Sequence, residues 1–351
     1  MKENNHFSLM TKTANYITVK LAPATKKILC VRNFLKHIQH KANNDQFQLS
    51  KFAHSCLRPF IQKLNGKLIL SLAVSLFFAA GQVYAEEVVN ENSLISDTYT
   101  VPARGQVTIT ISGADGGDGK NEAGGSGAEV TGVFDVTGGQ IIRYVVGEAG
   151  QSSNEKSAGG GGSTGVYIDT TLVLAAGAGG GGNKDDNRGA NGIGLGGNTG
   201  QNGDDAIGGN GGAGGTGGNG GGAGGRNSDK SGGGGGVNSV GSDGKPGTGG
   251  GQSDTDVSDT GILLSIASGG SGTGGGGDGG DGFSGGGGAE KDHSGGAGGY
   301  SGGGGADKKG SAGGGGSFIA TTATGYVSSS STAGSDGGGT ESDGSDRKSV
   351  V

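Results

Sequence analysis

The chain has 351 residues, 90 of them glycine, with no tryptophan and only 5% aromatic residues. Of those glycines only Gly66 and Gly81 precede residue 101, so about a third of the remainder lacks a side chain, against about 7% ordinarily. Glycine loses the most backbone entropy on folding and offers no side chain to bury, which excludes an ordinary packed globular enzyme. Charge is split as unevenly. Residues 1–85 hold 12 Lys/Arg and 2 acidic residues, whereas 86–351 hold 14 and 30.

The basic first segment reads as an address. Leu68 to Ala80 is a run of 13 residues in which only Ser71 and Ser75 are polar. A spanning helix needs ~20 apolar residues, and the h-region of a secretory signal about 7–15. Lys63 and Lys67 supply the positive flank, and Val83-Tyr84-Ala85 presents small residues where a signal peptidase reads. Cleavage is therefore expected after Ala85, with Glu86 beginning the mature chain. The alternative is an uncleaved anchor at 68–80 with residues 1–67 left in the cytoplasm. The long n-region resembles the extended signal peptides of large exported proteins of Gram-negative bacteria. Both cysteines, Cys30 and Cys56, lie in this segment, so the mature chain relies on no disulfide.

After a linker at 86–96 the pattern turns to short strands. Thr98–Val101 and Gln106–Ser112 flank Pro102-Ala103-Arg104-Gly105, a turn sequence. Val107, Ile109 and Ile111 alternate with polar residues, the period of a half-buried strand. Glu129–Val136 repeats that alternation, Thr137-Gly138-Gly139 is a hairpin turn signal, and Gln140–Gly147 follows. Val166–Asp169 and Thr171–Ala176 form a further pair. The fold class is all-β, with no helix of useful length in 97–332: a small sandwich or jelly-roll-like sheet pair, with strands at 97–176 and 317–332. Residues 333–351 read as a disordered polar tail.

Between the strands, at 177–316, lie the glycine tracts. Residues 208–222 read GGN-GGA-GGT-GGN-GGG, a period of three. A polyproline-II-type helix has three residues per turn and no internal hydrogen bonds, so bare backbones of neighbouring helices are able to bond laterally. With 4 prolines in the chain, collagen is excluded. Gly282–Asp292 (GFSGGGGAEKD) recurs as Gly299–Lys309 (GYSGGGGADKK): an aromatic, four glycines, then a charged turn. Each unit suits one leg of a bundle, with Phe283 and Tyr300 at equivalent ends. The competing reading is a flexible linker.

Three blocks carry a resemblance: YTVPARGQVTITISGADGGDG (99–119), GAEVTGVFDVTGGQIIRYVVGEAG (127–150) and GGGGSTGVYIDTTLVLAAGAGGGG (159–182). Together with SFIATTATGYV (317–327) they resemble the glycine-rich domain of the anaplastic lymphoma kinase and leukocyte tyrosine kinase ectodomains, and many bacterial and protist secreted glycine-rich proteins. The resemblance covers roughly 97–332 and implies a β-sandwich whose long insertions fold as a polyglycine-II bundle. Certain phage tail-tip adhesins are similar in presenting recognition loops on such a bundle. No ligand or signalling role carries over, because no kinase sequence accompanies the domain.

Catalytic-looking strings are products of the glycine content. Gly282–Gly286 and Gly299–Gly303 both fit G-x-S-x-G, but that motif needs a strand–turn–helix elbow, an acid and a histidine, and His293 is the only histidine after residue 85. Gly276–Ser284 matches one calcium nonapeptide, giving Asp278 and Asp281 as a weak metal candidate; such sites need tandem copies. No catalytic or cofactor-binding residue is assigned. The acidic mature chain argues against nucleic acid. The expected function is that of a secreted or cell-surface, adhesin-like binding protein without catalysis. It recognises an extracellular ligand or surface glycan through the turns Asn183–Arg188, Arg226–Lys230, Ala289–His293 and Ala306–Lys309. The alternatives are a self-associating matrix component and a passenger fragment of an autotransporter.

Overall fold

The computed structural model of the protein describes residues 88–91, 93–184, 197, 200–208, 210–226, 229–253, 264–308, 310–337 and 345–350, all within the unit Tyr84–Val351. The expected signal segment 68–80 and the cleavage site Ala85/Glu86 lie outside these residues. Among the described residues every regular element is a strand, and no helix is long and apolar enough to cross a membrane.

The described residues form twelve strands: β1 (Val88–Glu91), β2 (Ile95–Thr100), β3 (Gly105–Ser112), β4 (Glu129–Val136), β5 (Ile141–Val146), β6 (Thr164–Ile168), β7 (Thr171–Ala176), β8 (Gly224–Arg226), β9 (Asp229–Ser231), β10 (Phe318–Ile319), β11 (Tyr326–Thr332) and β12 (Ser345–Val350). One antiparallel sheet runs β1-β12-β3-β4-β11 and a second β10-β7-β6-β5-β2; β8 and β9 make a separate hairpin. The alternation read from β3 and β4 is realised in their burial. Val107, Ile109 and Ile111 are fully buried, and they sit opposite Phe134, Gly132 and Val130 in register. These residues join Ile142, Tyr144, Val146, Val166 and Leu174 of the second sheet in a single core cluster.

The hairpin signalled by Thr137-Gly138-Gly139 does not form, and the turn at Pro102–Gly105 likewise joins strands of different sheets. Pro102–Gly105 connects β2 to β3, and Thr137–Gln140 connects β4 to β5; each carries the chain from one sheet to the other. Thr137-Gly138-Gly139 is still a tight turn, with Gly139 at φ 89° and the Gln140 N–H donating to the Thr137 carbonyl (3.2 Å). Turn residues reverse the chain, but strand pairing is decided by which faces bury together. The expected polar tail 333–351 needs correcting too. Residues 345–350 are β12, inserted between β1 and β3 with Arg347 opposite Thr110. The linker 86–96 similarly contains β1.

The second sheet is covered on both faces, which explains the near-continuous apolar runs of β5 and β7. The face turned away from the first core carries Val145, Tyr167 and Ala175, packed with Val237, Leu264 and Phe283 from the glycine region. Phe283 meets Tyr167 edge-on (centroids 6.0 Å), and Tyr300 stacks on Phe318 (4.5 Å, 12°). The two aromatics of the repeat thus anchor equivalent legs against one sheet. Arg143 also points from β5 toward this side; it is fully buried, and its Nη1 donates to the Asp169 carbonyl.

In the glycine region, backbone bonds run between segments rather than within them. Along the buried leg 284–289, Gly285 and Gly288 donate to Gly251 and Thr248. Gly286 and Ala289 donate to Gly280 and Gly277, and Gly287 donates to Gly296, all at 2.7–2.9 Å. Successive N–H groups thus reach three different neighbours, and the direction repeats every third residue. Carbonyls pack against Cα positions so closely that a Cβ on Gly286 would lie 2.0 Å from the Gly160 oxygen. Segments 113–127 and 147–163, outside the expected range 177–316, belong to the same network through bonds such as Gly125 to Gly180 and Gly160 to Gly287.

Candidate functional site: charged turns at one end of the glycine legs

Each leg of the repeat begins at an aromatic against the sheet and ends in a charged turn. Four glycines and the flanking Ser and Ala separate the two ends. Four turns meet at the far end, and they are the four that the sequence offered as exposed tips. Residues 185–188, 227–228 and 309 of those turns lie outside the described residues.

Glu290 is the centre. It is fully buried, its carboxylate accepts from Lys245 Nζ and from the Thr273 hydroxyl, and Lys291 Nζ lies 3.9 Å away. Glu290 and His293 exchange backbone bonds (2.9 and 2.8 Å), which closes the turn, and Lys291 takes the left-handed conformation at φ 47°. Asp229 approaches both Lys291 (3.5 Å) and Lys245 (3.8 Å). Asp292 pairs with Lys184 (2.9 Å) and Lys308 (3.1 Å), which joins three turns. Asp307 accepts from the Asn210 backbone and amide (3.1 and 3.0 Å) and from the Lys308 N–H (2.7 Å), and it faces His293 Nε2 at 3.5 Å. Buried Asn183 donates to the Gly310 carbonyl (3.0 Å) and accepts from the Ser157 hydroxyl (2.9 Å).

The signs are sorted by depth. Side-chain exposure is 0%, 14% and 18% for Glu290, Asp307 and Asp292, 28% and 30% for Lys184 and Lys245, and 46% and 52% for Lys291 and Lys308; Asp229, at 42%, stands among the exposed lysines. Three carboxylates form the floor, and the lysines with Asp229 form the rim. This end of an acidic chain therefore presents lysines, with Asp229 the one exposed carboxylate among the paired groups described.

Burial alone raises the carboxyl of Asp292, but bonds and charges from Lys184 and Lys308 outweigh it and hold the group below the ordinary value. Asp307 is likewise pushed up by burial and pulled further down by Asn210, the Lys308 N–H and His293. A carboxyl lowered in the folded state contributes stability that is complete above its unfolded pKa, near 3.8. That contribution fades as pH falls through the lower folded value. Denaturant midpoints should therefore drop between pH 5 and pH 2, and the drop should shrink in Asp292→Asn/Asp307→Asn; an unchanged slope in the double variant would contradict the pairing.

The other sequence candidates lie elsewhere. Asp278 and Asp281 each direct one oxygen to a backbone amide, of Gly272 (2.5 Å) and Gly269 (2.7 Å). Asp115 and Asp118 do the same for Gly127 and Gly124, Asp205 for Gly214 and Asp243 for Gly249. On outer segments the carboxylate replaces the carbonyl that a further neighbour would have offered. The pattern is visible in the sequence as aspartates spaced by three, 115/118 and 278/281, of which the second pair is the weak metal candidate named above. Among the described residues no group of three or more His, Cys, Asp or Glu is placed to hold a metal ion. The serines of both G-x-S-x-G strings are fully buried: Ser284 bonds Ser163 (2.7 Å) and the Gly299 carbonyl (2.7 Å), and Ser301 accepts from Gly218 (2.9 Å). His293 stands at the opposite end of the leg.

No protein-family model and no curated protein sequence matches the chain.

Proposed function

We propose that this chain is a secreted or cell-surface binding protein without catalysis, whose recognition surface is the ring of lysines at the charged end of the glycine legs. Its architecture in this reading is a β-sandwich carrying a bundle of polyglycine-II helices, as in the glycine-rich domains it resembles. The core shared by both sheets supports the sandwich, and the three-residue period of backbone donors supports the bundle. The observation that carries the function is the convergence of four charged turns, with Lys184, Lys245, Lys291 and Lys308 held over buried carboxylates. A rigid scaffold that ends in adjacent loops is a common way to carry recognition.

The ligand chemistry that suits a cationic rim is an anionic extracellular glycan, bearing uronate, sialate or sulfate groups. A glycan array probed with the folded protein should show acidic glycans bound and neutral ones not, with binding weakened by salt. Lys291→Ala/Lys308→Ala should weaken binding about tenfold, as rim charges do, with only a small fall in melting temperature from the lost Asp292 and Asp229 pairings. Folded protein that binds no glycan and no cell surface would refute the reading. A matrix role without a specific ligand is the second reading, favoured by an uncharged sheet edge described next.

A further inference from the structure

Four strands lie at the edges of the two sheets, and three of them are protected against pairing with another chain. β10 has only two residues. β2 carries Asp97, and its Ser96 hydroxyl donates to the Leu264 carbonyl (2.6 Å), which ties the strand to the chain beside it. β1 is four residues long and ends in Glu91. Short length, charge and covering chain are the usual means of blocking an edge.

β11 has none of these. It spans seven residues, YVSSSST, pairs on one side with β4, and is exposed along most of its length. Its one irregularity lies at the start, between Tyr326 and Ser328. Among the described residues, no backbone group from Val327 to Ala333 bonds to anything beyond the β4 ladder. Val327 is 45% exposed and is one of the exposed large apolar side chains. No charged residue occurs between Lys309 and Asp336, in a chain of net charge −6.

The geometry points to β11 as a self-pairing edge, on which a second copy of this chain adds its own β11 antiparallel across a two-fold axis. The occupant is a copy because an antiparallel pair of identical strands is self-complementary: each N–H row meets a C=O row under the two-fold. The uncharged stretch lets two acidic molecules approach here with the least repulsion. Serine and threonine face serine and threonine across the pair, and cross-strand hydroxyl pairs of that kind are favourable. The first sheets of the two copies then form one continuous sheet. The contact is limited to one strand pair, so the dimer is weak, with a dissociation constant of about micromolar order. The inference stands apart from the ligand reading and would survive its failure.

Sedimentation velocity of the full chain over a concentration series should show a monomer–dimer equilibrium. Ser330→Lys/Ser331→Lys places one ammonium on each face of the edge and should raise the dissociation constant about a hundredfold. The same charges at Ser268→Lys/Ser271→Lys, exposed on the glycine region, should leave it unchanged. In the unaltered chain, amides of 327–332 should exchange more slowly as concentration rises, a readout that needs no variant to fold. A chain that stays monomeric, or a dimer weakened equally by both lysine pairs, would overturn the proposal. So would a dimer that ignores the pair in β11.

Discussion

Gly286→Ala should destabilise the protein by about 3 kcal/mol or more, while Gly222→Ala should leave its melting temperature within a few degrees. Both glycines lie in the glycine region and neither has a positive φ, so backbone freedom does not separate them. Space does. A Cβ at Gly286 would meet the Gly160 oxygen at 2.0 Å, whereas one at Gly222 meets its nearest atoms at 3.1–3.2 Å. Gly160 is not free to retreat. Its carbonyl accepts from Gly280 and its N–H donates to the Gly287 carbonyl, so relieving the clash breaks one bond to a further segment and one to the leg that carries Gly286. Alanine also narrows the unfolded ensemble, a gain of about 0.4–1 kcal/mol. At Gly222 that gain nearly offsets the mild crowding; at Gly286 it is overwhelmed. Thermal melts of the two variants test the argument, and equal losses would mean that close backbone approach is not what holds the legs together.

The same contrast shows which features of this fold were legible in the sequence. Alternation located β3 and β4 within a residue or so, because burial of one strand face leaves a direct trace in residue type, and an apolar run after the turn located β5. The trace fails for β12, where SDRKSV has no apolar alternation and is held by its backbone ladder between β1 and β3. Partnership was less legible than position. Thr137-Gly138-Gly139 announces a reversal, but not that β5 then pairs with β2 and β6 in the other sheet. In the glycine legs the period of three is written in the composition. Which leg touches which is not, since identical glycines carry no label. The charged turns gave the site away because the repeat from Gly282 and Gly299 places Glu290 and Asp307 at equivalent leg ends. Lys245 and Thr273, outside the repeat, bear no mark that they close over Glu290.

Lys245→Ala should cost more than Glu290→Ala, although both break the same ion pair. Glu290 is fully buried, and Lys245 keeps 30% of its side chain in contact with solvent. Truncating the lysine leaves a buried carboxylate with the Thr273 hydroxyl and a lysine 3.9 Å away, and an unpaired buried charge typically costs about 3–5 kcal/mol. Lys291 and Thr273 soften this, so about 3 kcal/mol is expected. Truncating Glu290 instead frees Lys245 to turn into water, and what remains is a small cavity and an unsatisfied hydroxyl, about 2 kcal/mol. The double variant should then resemble Glu290→Ala alone, because the penalty of the lysine change exists only while the carboxylate is present. Urea titrations of the three variants measure that coupling. Single variants of equal cost that add in the double would show two independent surface charges. Order at the rim depends on the same pair, since the Glu290 carboxylate ties the turn that carries Lys291 to Lys245 and Thr273, and Asp292 in that turn holds Lys308. Lys245→Ala should therefore also weaken binding of acidic glycans, although Lys291 and Lys308 are left intact.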